Sequence, residues 1–136
     1  MEYRIDCSNA ATKRFIEMLL PNLLTQLRLN SSRKFLHIIV DKEVQEHGVT
    51  LDLTPATGAL LVVLKPSKSM TEIGMTLAHE LVHVKQMARG ILKYGKRGSI
   101  FWCGKRYSKN TKYTDSPWEI QAFSKQELLF RRAMDE

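Results

Sequence analysis

From Ser8 to about Leu29 the apolar residues Phe15, Leu19, Leu23 and Leu27 recur every four positions, the spacing of one helix face. Ser8 or Asn9 is placed to cap that helix. Pro21 falls inside the pattern, where its missing N–H and its ring are expected to kink the helix or split it. After a loop at NSSRK the period changes. FLHIIV at 35–40, VTLDLT at 49–54 and ALLVVLK at 59–65 are short runs rich in β-branched residues and Leu, separated by turn signals around Glu46–Gly48 and Pro55–Gly58. They read as three strands. Their spacing suits a small meander, although the first connection is long enough for other arrangements.

Helical spacing then returns. Ser69 and Glu72 stand in capping-box relation, Gly90 suits the position just past a helix end, and Ile73, Leu77, Leu81, Val84 and Ala88 form the stripe between them. The polar segment that follows carries interleaved aromatic residues, and IFWCGKRY at 100–107 has room for a strand or hairpin arm. A closing helix is expected from DSPWE to about Met134. Asp115 or Ser116 would cap it, Pro117 would occupy its first turn, and Trp118, Ala122, Phe123, Leu129 and Phe130 would form its apolar side. The order of elements predicts an α+β domain spanning 1–136, with no repeat and no low-complexity segment.

Composition bounds this picture without redirecting it. A chain of 136 residues with 43% hydrophobic and 26% charged residues has the length and balance of one globular domain. The first ten residues lack an apolar run behind a basic cluster, so they do not read as a secretory signal. The longest aliphatic run, ALLVVL, is far short of a membrane span. Cys7 and Cys103 form no disulfide framework, and the expectation is a cytoplasmic protein with free thiols and no membrane partner. The net charge of +7 would attract acidic partners over a long range.

The chemistry sits in LAHELVHVKQ at 77–86. Residues at i and i+4 share a helix face, so His79 and His83 can present two imidazoles to one metal ion. Glu80, beside the first histidine, can take a proton from a metal-activated water and return it to a leaving amine. Two histidines alone hold zinc poorly, and a catalytic site needs a third protein ligand. Gln86 and Arg89 stand where a metzincin carries glycine and histidine. No histidine follows His83, which also removes the pattern of SprT-like proteins. A carboxylate remains. Asp115 is better placed as a cap, Glu127 lies in the polar KQE, and Asp135 and Glu136 belong to the tail. Glu119 lies in the first turn of the closing helix between Trp118 and Ile120, with Ala122 next to the same face to allow close helix approach. It is the candidate third ligand, although a glutamate at a helix N-terminus is also favourable without a metal.

HELVH followed by the helical PWEIQAF resembles the gluzincin branch of zincin metallopeptidases, and within it the small minigluzincins and short metallopeptidase-like chains of bacteria and phages. The resemblance implies a compact zincin-like fold: an N-terminal helix, a sheet of three to four strands, the HExxH helix and a C-terminal Glu-bearing helix. It implies one zinc per chain on His79, His83 and Glu119, Glu80 as general base and acid, and a peptide or protein substrate. It also implies that ALLVVLK, Leu60, Leu61, Val62, Val63 and Leu64 within it, is the edge strand that pairs with substrate. The family often steadies the oxyanion with a Tyr or His; Tyr107 and Tyr113 are the candidates, and no motif selects either.

Two other functions compete with a zinc endopeptidase. Arg89, Lys93, Lys96, Arg97, Lys105, Arg106, Lys109 and Lys112 occur without an acidic residue among them, and Tyr94, Trp102 and Tyr107 could stack on bases, as in a nucleic-acid-associated module. A solvated basic wall is the simpler reading of that run. The third possibility is a zinc-binding interaction protein that cleaves nothing, against which Glu80 argues.

Overall fold

The most continuous apolar run of the chain lies at the centre of its main sheet. In the computed structural model, which describes residues 1–135, ALLVVL forms β4 (Ala59–Leu64), with β2 (Phe35–Val40) on one side and β3 (Gly48–Leu53) on the other. An additional strand, β1 (Tyr3–Asp6), completes the order β1-β2-β4-β3. β1, β2 and β4 run parallel, and β3 is antiparallel to β4. The meander expectation is therefore corrected: β2 and β4 pair directly, Leu36 against Leu60 and Ile38 against Val62, and β3 folds back outside them. The physical reason is burial. A run without polar alternation is stabilised between two neighbours, whereas Thr50 and Asp52 make β3 suited to an edge.

α1 (Ala10–Gln26) connects the parallel strands β1 and β2, as a parallel pair requires a crossover. Asn9 caps it, its Oδ1 accepting from the Thr12 N–H at 3.0 Å. Pro21 does not split it; the proline lies inside one continuous helix, on the exposed side. Leu19, Leu23 and Leu27 of the expected stripe are buried, together with Ile16, Leu20 and Leu24. These pack with Leu36, Ile38, Leu60, Val62 and Leu64 from one face of the sheet. The one-turn α2 (Thr54–Thr57), closed by Gly58 in the left-handed conformation, links β3 to β4.

α3 (Met70–Ala88) begins at Ser69, whose Oγ accepts from the Glu72 N–H. The reciprocal half of the capping box is replaced, because the Glu72 carboxylate lies 3.0 Å from His47 Nδ1. α4 (Pro117–Met134) starts after Ser116 and buries Trp118, Ala122, Leu129 and Phe130. Asp115 is not its cap but ends a single 3-10 turn, Tyr113–Asp115. Between α3 and α4 lies a second, antiparallel sheet of β5 (Leu92–Tyr94), β6 (Ile100–Trp102) and β7 (Lys105–Tyr107). The β6–β7 hairpin turns on Cys103 and Gly104, both at positive φ. The architecture is thus α+β, and no helix among the described residues is long and apolar enough to cross a membrane.

α3 and α4 approach closely at Gly74, where a Cβ would fall 2.1 Å from a ring carbon of Phe130. Gly74→Ala removes a helix-interior glycine, which alone favours the helix by about 1 kcal/mol. It also forces Phe130 from its place, an overpacking cost of about 1–3 kcal/mol. The clash is expected to win, with a net loss of up to about 2 kcal/mol in urea unfolding.

Candidate metal centre

His79 and His83 lie one turn apart on the face of α3 that meets α4, their rings edge to face with centroids 5.0 Å apart. Glu119, in the first turn of α4, faces both: its Oε1 is 3.0 Å from Nε2 of each histidine. Both histidines are buried and Glu119 is nearly so. The close approach that brings the carboxylate there is permitted by Ala122, fully buried one turn later on α4.

The far nitrogen of each ring is held by an amide. His83 Nδ1 is 2.8 Å from Gln86 Oε1, and His79 Nδ1 is 2.7 Å from Gln126 Oε1. Gln86 cannot present its nitrogen instead, because its Nε2 donates to the Trp118 carbonyl at 3.1 Å and to Gln121 Oε1 at 2.9 Å. An amide oxygen only accepts, so Nδ1 carries the proton and Nε2 of the neutral ring presents its lone pair. Two such lone pairs and a carboxylate oxygen then converge, an arrangement that repels itself unless a cation lies among them. Protons on the rings or a metal ion satisfy it. His79, His83 and Glu119 form a group able to hold a metal ion, their ligand atoms all within 4.8 Å of one another.

The electrostatics follow from the same geometry. In the metal-free state, with protons on Nε2 as well, burial pushes the Glu119 carboxyl up, but hydrogen bonds and charge from His79 and His83 override it and hold its pKa at about 2. Burial pulls the His83 imidazole down; the Glu119 hydrogen bond and charge, with Gln86 and Glu80, more than offset this and raise it. Glu80 is raised chiefly by its burial, against the influence of His83, Thr50 and His79. The Thr50 hydroxyl lies 2.8 Å from Glu80 Oε1, which ties that carboxylate to β3. β3 passes so near that a Cβ on Gly48 would come within 3.0 Å of Glu80 Cγ.

These groups open into a cleft of about 730 Å³, between the free edge of β3 and the facing sides of α3 and α4. Its size is within the usual range for ligand sites. Of the two tyrosines considered from sequence, Tyr113 lines the cleft, and its phenol is raised well above its ordinary value by burial and by the Glu119 charge. Tyr107 does not line it; its ring packs edge-on against Trp118 at 5.4 Å. The expectation that Leu60, Leu61, Val62, Val63 and Leu64 form the edge strand is corrected. That strand is hydrogen-bonded on both sides, and the edge along the cleft is β3, with Gly48, Val49 and Thr50. His37 pairs with Asp6 and does not line the cleft; His47 pairs with Glu72 and both line it, but neither belongs to the group able to hold a metal.

Sequence reasoning missed Gln86, Gln126, Thr50 and the role of Phe123. Phe123 is half-exposed, contributes to the cleft wall and packs edge-on against the His79 ring at 4.6 Å, instead of joining the core. The signal for two of these was present. Gln86 lies three residues after His83, and Gln126 lies two turns after Glu119, so each shares a helix face with a candidate ligand. No family model, no curated protein and no solved structure matches this chain.

If the amides fix the imidazole tautomers for a metal, Gln126→Leu should lower metal affinity by about 10- to 100-fold, measured by competition with a chromophoric chelator. Gln126→Glu, which restores an acceptor, should recover most of it. Glu119→Ala should lose the metal outright, and full retention in that variant would remove Glu119 from the ligand set.

Proposed function

We propose that this chain is a zinc-dependent endopeptidase of the gluzincin type. The observation that carries the reading is the convergence of His79, His83 and Glu119 in a cleft where Glu80 stands beside them. Two imidazoles and one carboxylate are a donor set suited to catalytic zinc, which takes three protein ligands and keeps a further position for water or substrate. The succession of sheet, HELVH helix and Glu-bearing helix supports the same family.

Zinc bound there would supply Lewis acidity, easing the ionisation of water and polarising a scissile carbonyl. The chain's own residues account for the rest. Glu80, with its proton affinity raised by burial, takes the proton of the attacking water and delivers it to the departing amine. Thr50 holds one oxygen of that carboxylate, fixing the direction in which the other works. Tyr113 keeps its phenolic proton through neutral pH and is the group to hydrogen-bond the developing oxyanion. The open edge of β3 offers main-chain hydrogen bonds to an extended peptide, and Met75, Met87 and Phe123 give the cleft apolar walls for its side chains. A site that only held metal would have no use for a buried carboxylate in Glu80's position.

Glu80→Gln should keep the bound metal and lower peptide-bond cleavage by at least about 100-fold, the contribution of a positioned general base. Cleavage of a quenched fluorescent peptide library, with metal content measured in parallel, reads both. Undiminished cleavage by the metal-loaded variant would exclude this mechanism.

A further inference from the structure

The second sheet has two unlike faces. Leu92, Ile100, Trp102 and Tyr107 share the face turned to the core. The alternate positions form one cross-strand row, Lys93–Phe101–Arg106, on the other face. Directly paired residues stand about 5 Å apart at Cβ, so the partly buried Phe101 leaves the sheet between Lys93 and Arg106. It rests over the β5–β6 turn, where a Cβ on Gly95 would come within 2.9 Å of a ring carbon. That turn brings Lys96 and Arg97 alongside, and Lys109 packs against its Gly98. Lys93, Lys96, Arg97, Arg106 and Lys109 are all exposed, and among the described residues none makes an ion pair. A surface laced with salt bridges would have carboxylates interspersed here, and the run from Arg89 to Lys112 contains none.

We infer that the outer face of the β5–β6–β7 sheet binds single-stranded nucleic acid, with a base stacked on Phe101 and the flanking phosphates held by Lys93, Arg106 and the basic β5–β6 turn. The pairing of a π-face with cations on both sides matches the alternation of base and phosphate along a strand. A duplex has no free base face to offer the ring. An acidic polypeptide matches the charge but supplies no planar partner for it. The surface lies on a different element from the metal cluster, so it stands or falls independently of the peptidase reading.

The test uses the full chain and a fluorescein-labelled oligothymidylate of about 20 nucleotides, with binding followed by anisotropy. Affinity is expected to fall on the order of 20- to 100-fold between 50 and 200 mM salt, as for release of counterions from three to five phosphates. Phe101→Leu, which keeps apolar volume and loses the π-face, should weaken binding by about 5- to 100-fold at constant salt. Lys93→Gln with Arg106→Gln should weaken binding and flatten the salt dependence. Circular dichroism and metal content identify any variant that fails to fold, and the double Gln variant leaves Phe101 in place as a second route. Glu80→Gln should bind as the wild type does. No binding at 50 mM salt, equal affinity for duplex of the same length, or equal displacement by polyglutamate would each overturn the proposal. So would wild-type affinity in a folded Phe101→Leu variant.

Discussion

Two imidazoles meeting one carboxylate across a helix–helix contact is the constraint around which this structure is arranged. Polar groups buried at such a contact cost free energy unless every one of them is partnered. Here they are: no buried side-chain nitrogen or oxygen among the described residues lacks a partner. Gln86 is the hinge of that network. It orients His83 through its oxygen and ties the start of α4 through its nitrogen, by way of the Trp118 carbonyl and Gln121. The amide that sets the tautomer on α3 therefore also holds the first turns of α4, which carry Glu119. Around this polar centre the apolar packing supplies rigidity, with Gly74 against Phe130 on one side and fully buried Ala122 on the other.

The sheet serves the same centre from above. Because ALLVVL occupies the interior, β3 is left as the edge and carries Thr50 to the Glu80 carboxylate. Gly48 allows its backbone to descend beside that carboxylate where any side chain would intrude. The cleft thus has a main-chain wall on one side and the polar cluster at its base. Its remaining wall comes from α4 through Phe123, which is exposed there because it faces the cleft and not the core.

Local patterning made the helices and three strands legible. Caps at Asn9 and Ser69 and the stripes of the first and third helices appear where spacing placed them. YRID was not legible as a strand because it is short and polar, and it is held by parallel pairing with β2, a partner far along the chain. The meander was misread because periodicity reports which face is buried and says nothing about which strands are neighbours. The continuous apolar run could have corrected this, since such a run belongs in a sheet's interior. In the site, HELVH spacing brought His79, Glu80 and His83 into view, and the surrounding hydrophobics led to Glu119. The Gln residues that orient the rings escaped because an amide near a histidine has no distinctive signature until helix faces are compared. Tyr113 and Tyr107 could not be separated from sequence, because the loops that carry them have no period to set direction.

The central claim is that two imidazole nitrogens and the Glu119 carboxylate bind zinc together. X-ray absorption at the zinc edge on the reconstituted protein tests it most directly. The account predicts two imidazoles at about 2.0–2.1 Å, with the remaining donors oxygens at about 2.0–2.2 Å and no sulfur. A spectrum requiring a thiolate, or fewer than two imidazoles, would contradict it.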